Sequence, residues 1–234
     1  MAIVAHADDA ELTIAGTLAL LARAGWSVSV VTLTVPTFGD QPRDERMHAA
    51  ERAADIIGYN VVWPHNGPRH MVEDWSSHHL VAEVDAHVLA ALPDVVFSHW
   101  QGDSHEDHRR VARAVLSASR RGAFDLYAIS PSEHRTPAFD AFPANVLVDI
   151  SDAEELKRDA IRQYDYPAGP LGGFGLDALY KRWRGQGASI GMAASERLLL
   201  LRQFGIPTGL AGQMPDRWHE RSEASNGRVA VRPS

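Results

Sequence analysis

His6, Asp8, Asp9 and Glu11 fall within the stretch Ala5–Leu12, AHADDAEL. An imidazole two residues ahead of paired carboxylates is a donor set for a borderline or hard divalent cation. On its own the Asp8-Asp9 pair could be a helix N-cap, favoured there by the helix dipole; His6 beside it points instead to a metal. A second stretch of the same kind lies far downstream: His99-Trp100-Gln101-Gly102-Asp103-Ser104-His105-Glu106-Asp107-His108. Catalytic zinc takes about three protein ligands from His and carboxylate and leaves a position for water. His6, one Asp of the pair and one His of the second stretch satisfy that count. The remaining Asp can take a proton from the water, which zinc acidifies to a pKa of about 7. The spare His, with a carboxylate behind it, can stay charged and meet a developing oxyanion. Such a site activates water and suits the hydrolysis of an amide or an ester.

These groups need elements to position them. Ala2-Ile3-Val4-Ala5 reads as a short buried strand, and the apolar spacing from Leu12 onward predicts a helix over about 11–24. The first cluster therefore sits in a strand-to-helix turn. Alternation continues: strand 26–34, a Pro/Gly loop 35–42, helix 43–57 stopped by Gly58, strand 61–63, turn 66–68, helix 76–92 and strand 94–98. Then come helix 109–121, strand 124–129, strand 146–150 and helix 152–164. Such alternation predicts a Rossmann-like, doubly wound, mostly parallel α/β sheet in a single domain. The usual winding puts strand 1 beside strand 4 at the point where connections reverse, and ligands bind there, outside the carboxyl ends of the strands. The two His/carboxylate stretches follow those two strands. The domain is expected over 1–212, with a polar tail over 213–234.

Composition narrows the function further. The 234 residues carry a net charge of −7 and no Lys/Arg run, which argues against nucleic acid or an anionic membrane as partner. No apolar run approaches the roughly 20 residues of a membrane span, and the amino terminus reads as having no signal-peptide core. With no cysteine, any metal must be held by His, Asp and Glu, and a cytoplasmic setting is expected. A homo-oligomer is compatible with all of this.

Twelve histidines are more than one site needs. His78, His79 and His87 fall on a predicted helix and read as surface residues. His65 and His70 flank turns and take no assignment, and His99, ending strand 4, reads as a supporting residue rather than a ligand. Gly16 lies in no phosphate-loop pattern, and Ser195 in no GxSxG context. The segment 165–187 combines glycines with Tyr166, Tyr180 and Trp183, next to Tyr164. It reads as a lid able to stack on a sugar ring, or as an ordinary loop.

AHADDAEL resembles the AHPDDxE signature of the PIG-L/LmbE-like zinc N-deacetylases, and His105-Glu106-Asp107-His108 resembles their HxDH signature. Arg46 with Glu51, Ala54 and Ile57-Gly58 is similar to the family's second helix, and Val148-Asp149-Ile150-Ser151 with Lys157 to a later strand–helix junction. Arg184-Gly185, Gly191 and Ala194-Ser195-Glu196 form a weaker match to its closing segment. The resemblance thus spans about 2–200. It implies His6, Asp9 and His108 as ligands of one zinc per chain (Fe2+ also fits), Asp8 as general base, and His105, backed by Asp107, facing the tetrahedral intermediate. Arg46 and Asn66 fall at expected substrate-binding positions, and the implied substrate is an N-acetylated amino sugar or its conjugate. Four departures stand out: Ala7 replaces Pro, Glu11 comes one place late, Asp165-Tyr166-Pro167 replaces Ser-Gln, and Asn66-Gly67 replaces Asp-Gly. Two rival readings are a metal-dependent phosphoesterase and a non-catalytic metal- or ligand-binding module.

Overall fold

Ala2–His6 forms strand β1, and every residue in it is buried. Its alternate side chains enter two different cores: Ala2 and Val4 join one cluster, Ile3 and Ala5 the other. A strand covered on both faces must be continuously apolar, which accounts for the unbroken run ahead of His6. The computed structural model describes residues 1–36, 42–132, 136–164 and 176–204. Met1–Gln203 form one compact unit.

The other strands are β2 (Ser29–Thr34), β3 (Asn60–Val62), β4 (Val95–His99), β5 (Asp125–Ile129), β6 (Val146–Asp149) and β7 (Ser195–Arg202). They form a seven-stranded sheet in the order β3-β2-β1-β4-β5-β7-β6. β1 to β5 are parallel where they pair, and β7 runs antiparallel between β5 and β6. The expected fold is present, with β1 beside β4 at the reversal. The helices are α1 (Asp9–Thr13), α2 (Ala15–Arg23), α3 (Arg43–Ile57), α4 (Ser77–Ala91), α5 (Glu106–Ala118), α6 (Pro137–Ala141), α7 (Glu154–Ile161) and α8 (Leu176–Ala188). Among the described residues no helix is long and apolar enough to cross a membrane.

Three expectations need correction. The helix expected over 11–24 starts at Asp9 and breaks at Ile14, whose φ is −128°. The break is compensated from afar: Lys157 Nζ donates to Thr13 O (2.9 Å), and the Glu196 carboxylate accepts the N–H groups of Gly16 (2.9 Å) and Thr17 (2.7 Å). Lys157 also pairs with Glu196 at 2.5 Å, both side chains fully buried. Gly16 is required by packing, since a Cβ there would lie 2.7 Å from Ile150 Cγ2. His87 is buried rather than on the surface. Of the suspected lid, 165–175 lie outside the described residues; Tyr180 and Trp183 pack in α8 against Leu12, Ile150 and Ile161, so their rings are not open for stacking. The tail from 213 also lies outside the described residues.

Candidate active site

β1 delivers His6 at its carboxyl end, and the chain turns at once into α1. Asp8 makes that turn with φ +129°, a left-handed value for a residue with a side chain. Such backbone costs about 1–3 kcal/mol and persists only where the surroundings enforce it. Arg46, buried on α3, does so: its Nη2 donates to Ala7 O (2.9 Å) and to Asp8 Oδ2 (3.1 Å). The turn folds back so that the His6 N–H donates to Asp9 Oδ2 at 2.7 Å.

The second group arrives from β4. The ladder between β1 and β4 ends at Ile3–Ser98. Beyond it the Ala5 N–H, which needs a partner once buried, donates to His99 Nε2 at 2.9 Å. That nitrogen also lies 3.2 Å from Asp9 Oδ2, and Asp9, His108 and His99 form a group whose donor atoms all lie within 4.8 Å of one another. Burial and the His108 ring stacked 3.9 Å away push the His99 pKa down to about 4. His105 starts α5 as its N-cap, with Nδ1 accepting the Asp107 N–H at 3.2 Å. Glu106 and Asp107 then fall in the first turn, where carboxylates suit the dipole. The helix consequently begins three residues earlier than its apolar pattern suggests.

The two loops meet. Asp9 Oδ2 lies 3.4 Å from His6 Nδ1, and Asp9 Oδ1 lies 3.2 Å from His108 Nε2. His6 and His108 ring centroids are 5.4 Å apart, and donor atoms of His6, His105 and His108 all lie within 4.8 Å of one another. His6 Nε2 contacts Asp107 Oδ2 at 3.0 Å, and His108 Nδ1 contacts Asp103 Oδ2 at 2.8 Å. Burial lowers both imidazoles, but the carboxylates outweigh it: Asp9 and Asp107 raise His6 to about 9, Asp9 and Asp103 raise His108 to about 10. Burial likewise opposes ionisation of Asp9, yet the packed imidazoles, His108 foremost, hold its carboxyl well below the usual range. Asp8 goes the other way: burial and the neighbouring Asp9 raise it against the pull of Arg46. Paired carboxylates pushed apart in this manner are suited to different tasks.

Two placements differ from the sequence reading. The Asp107 carboxylate sits on His6, and it is the Asp107 backbone N–H that hydrogen-bonds His105. His105, expected to carry charge, is pushed toward the neutral form by burial and by His108 and His6. With Nδ1 accepting, its proton belongs on Nε2. Asn66 is exposed in the turn after β3, and among the described residues no hydrogen bond ties it to the cluster. Asp103 went unassigned in the sequence; its signal was its place in the densest His/carboxylate loop. It accepts from the His105 N–H (3.0 Å) as well as orienting His108, and Arg109 holds the loop through Asp103 O (2.6 Å) and Ser104 O (2.7 Å).

A family model described as PIG-L, GlcNAc-PI de-N-acetylase, matches residues 1–119, which carry every one of these groups. The chain belongs to the PIG-L family. It is accordingly an enzyme, an amide hydrolase of the N-deacetylase kind. A 1D-myo-inositol 2-acetamido-2-deoxy-alpha-D-glucopyranoside deacetylase of Mycobacterium sp. (strain KMS) is 28% identical over 218 residues, covering 68% of this chain and 71% of the relative. The N,N'-diacetylchitobiose deacetylase of Pyrococcus horikoshii is similar in structure, with a TM-score of 0.69 and 20% identity over 86% of this chain and 82% of that one. GalB, the 4-carboxy-2-hydroxymuconate hydratase of Pseudomonas putida KT2440, also has a TM-score of 0.69, with 20% identity over 88% of this chain and 97% of that one. At such identities the solved structures speak to the fold, and the same fold carries a hydratase.

Proposed function

We propose that this PIG-L family member is a zinc-dependent hydrolase that removes the N-acetyl group from an amino sugar or an amino-sugar conjugate. The observation that carries the reading is the meeting of His6, Asp9 and His108 at the sheet's reversal, with Asp8 held beside them on strained backbone by Arg46. Their nitrogen and oxygen donors suit one zinc per chain, and Fe2+ fits the same set. The surroundings also call for a cation. Asp9, Asp103 and Asp107 press on two buried imidazoles strongly enough to favour protonation, a role that a divalent ion fulfils better. A bound ion supplies a more acidic water and a polarised carbonyl.

The protein's own groups do the rest. Asp8 takes the proton of the attacking water on its carboxylate, and its raised pKa makes it a better base than an ordinary Asp. Arg46 fixes that carboxylate through Oδ2. His105 offers Nε2–H to the oxygen that gains charge as the acetamide carbonyl becomes tetrahedral. Asp8, now protonated, returns the proton to the departing amine, so acetate and a free amine leave. Asp107 and Asp103 orient the imidazoles of His6 and His108. The sugar is inferred from the family and the mycobacterial relative, and the cytoplasm from the absence of cysteine.

The test incubates zinc-loaded protein with a panel of N-acetylglucosamine conjugates and measures free amine. Amine release is expected, falling about 10²-fold or more in Asp8→Asn with zinc retained, the usual scale for losing a positioned base. Phosphate release from p-nitrophenyl phosphate without amine from any conjugate overturns the proposal, as does hydration of an unsaturated acid without amine.

A further inference from the structure

Away from the cluster just described, two histidines and a glutamate from separate parts of the chain meet between the turn after β3 and α4. Glu83 and His87 are spaced i,i+4 and share one face of α4, as ligand pairs on metal-binding helices do. His65 comes from the turn Pro64–Gly67, closed by the Gly67 N–H to Pro64 O bond (2.8 Å). His65 Nδ1 lies 2.9 Å, and His87 Nε2 3.0 Å, from the same oxygen, Glu83 Oε1. All three donor atoms lie within 4.8 Å of one another, and the two rings are 5.0 Å apart.

We propose that His65, Glu83 and His87 form a second divalent-metal site of the zinc class, which fastens the turn after β3 to α4. The two imidazole-to-carboxylate distances already match a coordination sphere. Ligand atoms about 2.0–2.1 Å from zinc stand about 3.3 Å apart in a tetrahedron and about 2.9 Å apart at right angles. The donor set, two imidazoles and one carboxylate with open positions left over, suits zinc and its neighbours far better than Mg2+ or Ca2+. Side-chain exposure is 10% for Glu83, 8% for His87 and 59% for His65. The site therefore has a rigid buried floor and one open edge for the ion and its waters. Each imidazole binds as the neutral ring by carrying its proton on the outer nitrogen. The nearby Asp85 does not take part, since Arg120 (2.8 Å) and Arg121 (3.2 Å) hold it.

The turn is preorganised for this role, because the His65 N–H also donates to Glu83 Oε1 at 2.9 Å. Its far end is tied to the sheet: the Arg69 N–H donates to Leu33 O (3.2 Å), and the Val35 N–H donates to Arg69 O (2.9 Å). An ion on His65 and α4 thus steadies the segment flanking the carboxyl end of β2. It does so whatever reaction the first cluster performs.

The experiment is equilibrium dialysis of tag-free, metal-stripped protein against Zn2+, with fold checked by circular dichroism. The wild type is expected to take up two equivalents. His65→Ala, which truncates a largely exposed side chain, should take up one, as should the near-isosteric Glu83→Gln. In a His6→Ala background one equivalent should remain, and adding His65→Ala should weaken it by at least the roughly tenfold that losing even an outer-shell partner costs. The His78→Ala/His79→Ala control should keep both. Uptake of a single equivalent that disappears with His6, or a second equivalent indifferent to His65 and Glu83, overturns the proposal.

Discussion

The Asp103→Asn substitution isolates what a carboxylate behind the proposed zinc ligand His108 does. Asp103 is 4% exposed and uses both oxygens: Oδ1 accepts the His105 N–H at 3.0 Å, and Oδ2 lies 2.8 Å from His108 Nδ1. Asparagine keeps the shape but has one acceptor and one NH2. The backbone N–H of His105 can only donate, so the amide oxygen must stay there and the NH2 must face His108 Nδ1. That nitrogen then becomes an acceptor, and the ring proton moves to Nε2, the atom 3.2 Å from Asp9. A protonated Nε2 cannot bind zinc. The cost should reach the roughly 10- to 100-fold in metal affinity typical of such partners, or about 1.4–2.7 kcal/mol. Asp103→Ala leaves Nδ1 to a water and should cost no more than Asp103→Asn, despite removing more atoms. Zinc competition against a chromophoric chelator measures both. An Asp103→Asn affinity within twofold of wild type, or an alanine variant much weaker than the asparagine one, would refute the tautomer argument.

Two further substitutions probe the scaffold and the base. Glu196→Gln leaves the fully buried Lys157 without its counter-charge, which costs about 3–5 kcal/mol and, at about 2–4 °C per kcal/mol, lowers the melting temperature by roughly 6–20 °C. Lys157→Met with Glu196→Leu should not restore it, because Thr13 O and the Gly16 and Thr17 N–H groups then lose their partners; thermal denaturation measures both, and an unchanged melting temperature in Glu196→Gln counts against the pair's role at the α1–α2 break. Arg46→Met removes a cation that favours ionised Asp8, so Asp8 should titrate at higher pH and the rising limb of the pH–rate profile should move upward. A limb that stays put, or moves down, means that Asp8 is not the base being titrated.

The sequence by itself determined the architecture and the neighbourhood of the site. An apolar run as short as Ala2–Ala5 suits a strand covered on both faces, and strand–helix alternation admits few windings. Once β1 is placed beside β4, the loops carrying His6 and His108 must meet. Local types and spacings sufficed for that because both motifs are contiguous in the chain. What contact at long range decides was not legible. Ser195–Arg202 has no alternating pattern, and its place between β5 and β6, antiparallel to both, is set by pairing at long range. The break at Ile14 exists because Lys157 and Glu196, far along the chain, satisfy the backbone groups that it frees. His87 reads as a surface residue until the turn carrying His65 closes over α4. What only the tertiary structure decided is the group that stands against each carboxylate: Arg46 beside Asp8, the imidazoles of His6 and His108 beside Asp9, His108 beside Asp103, and His6 beside Asp107.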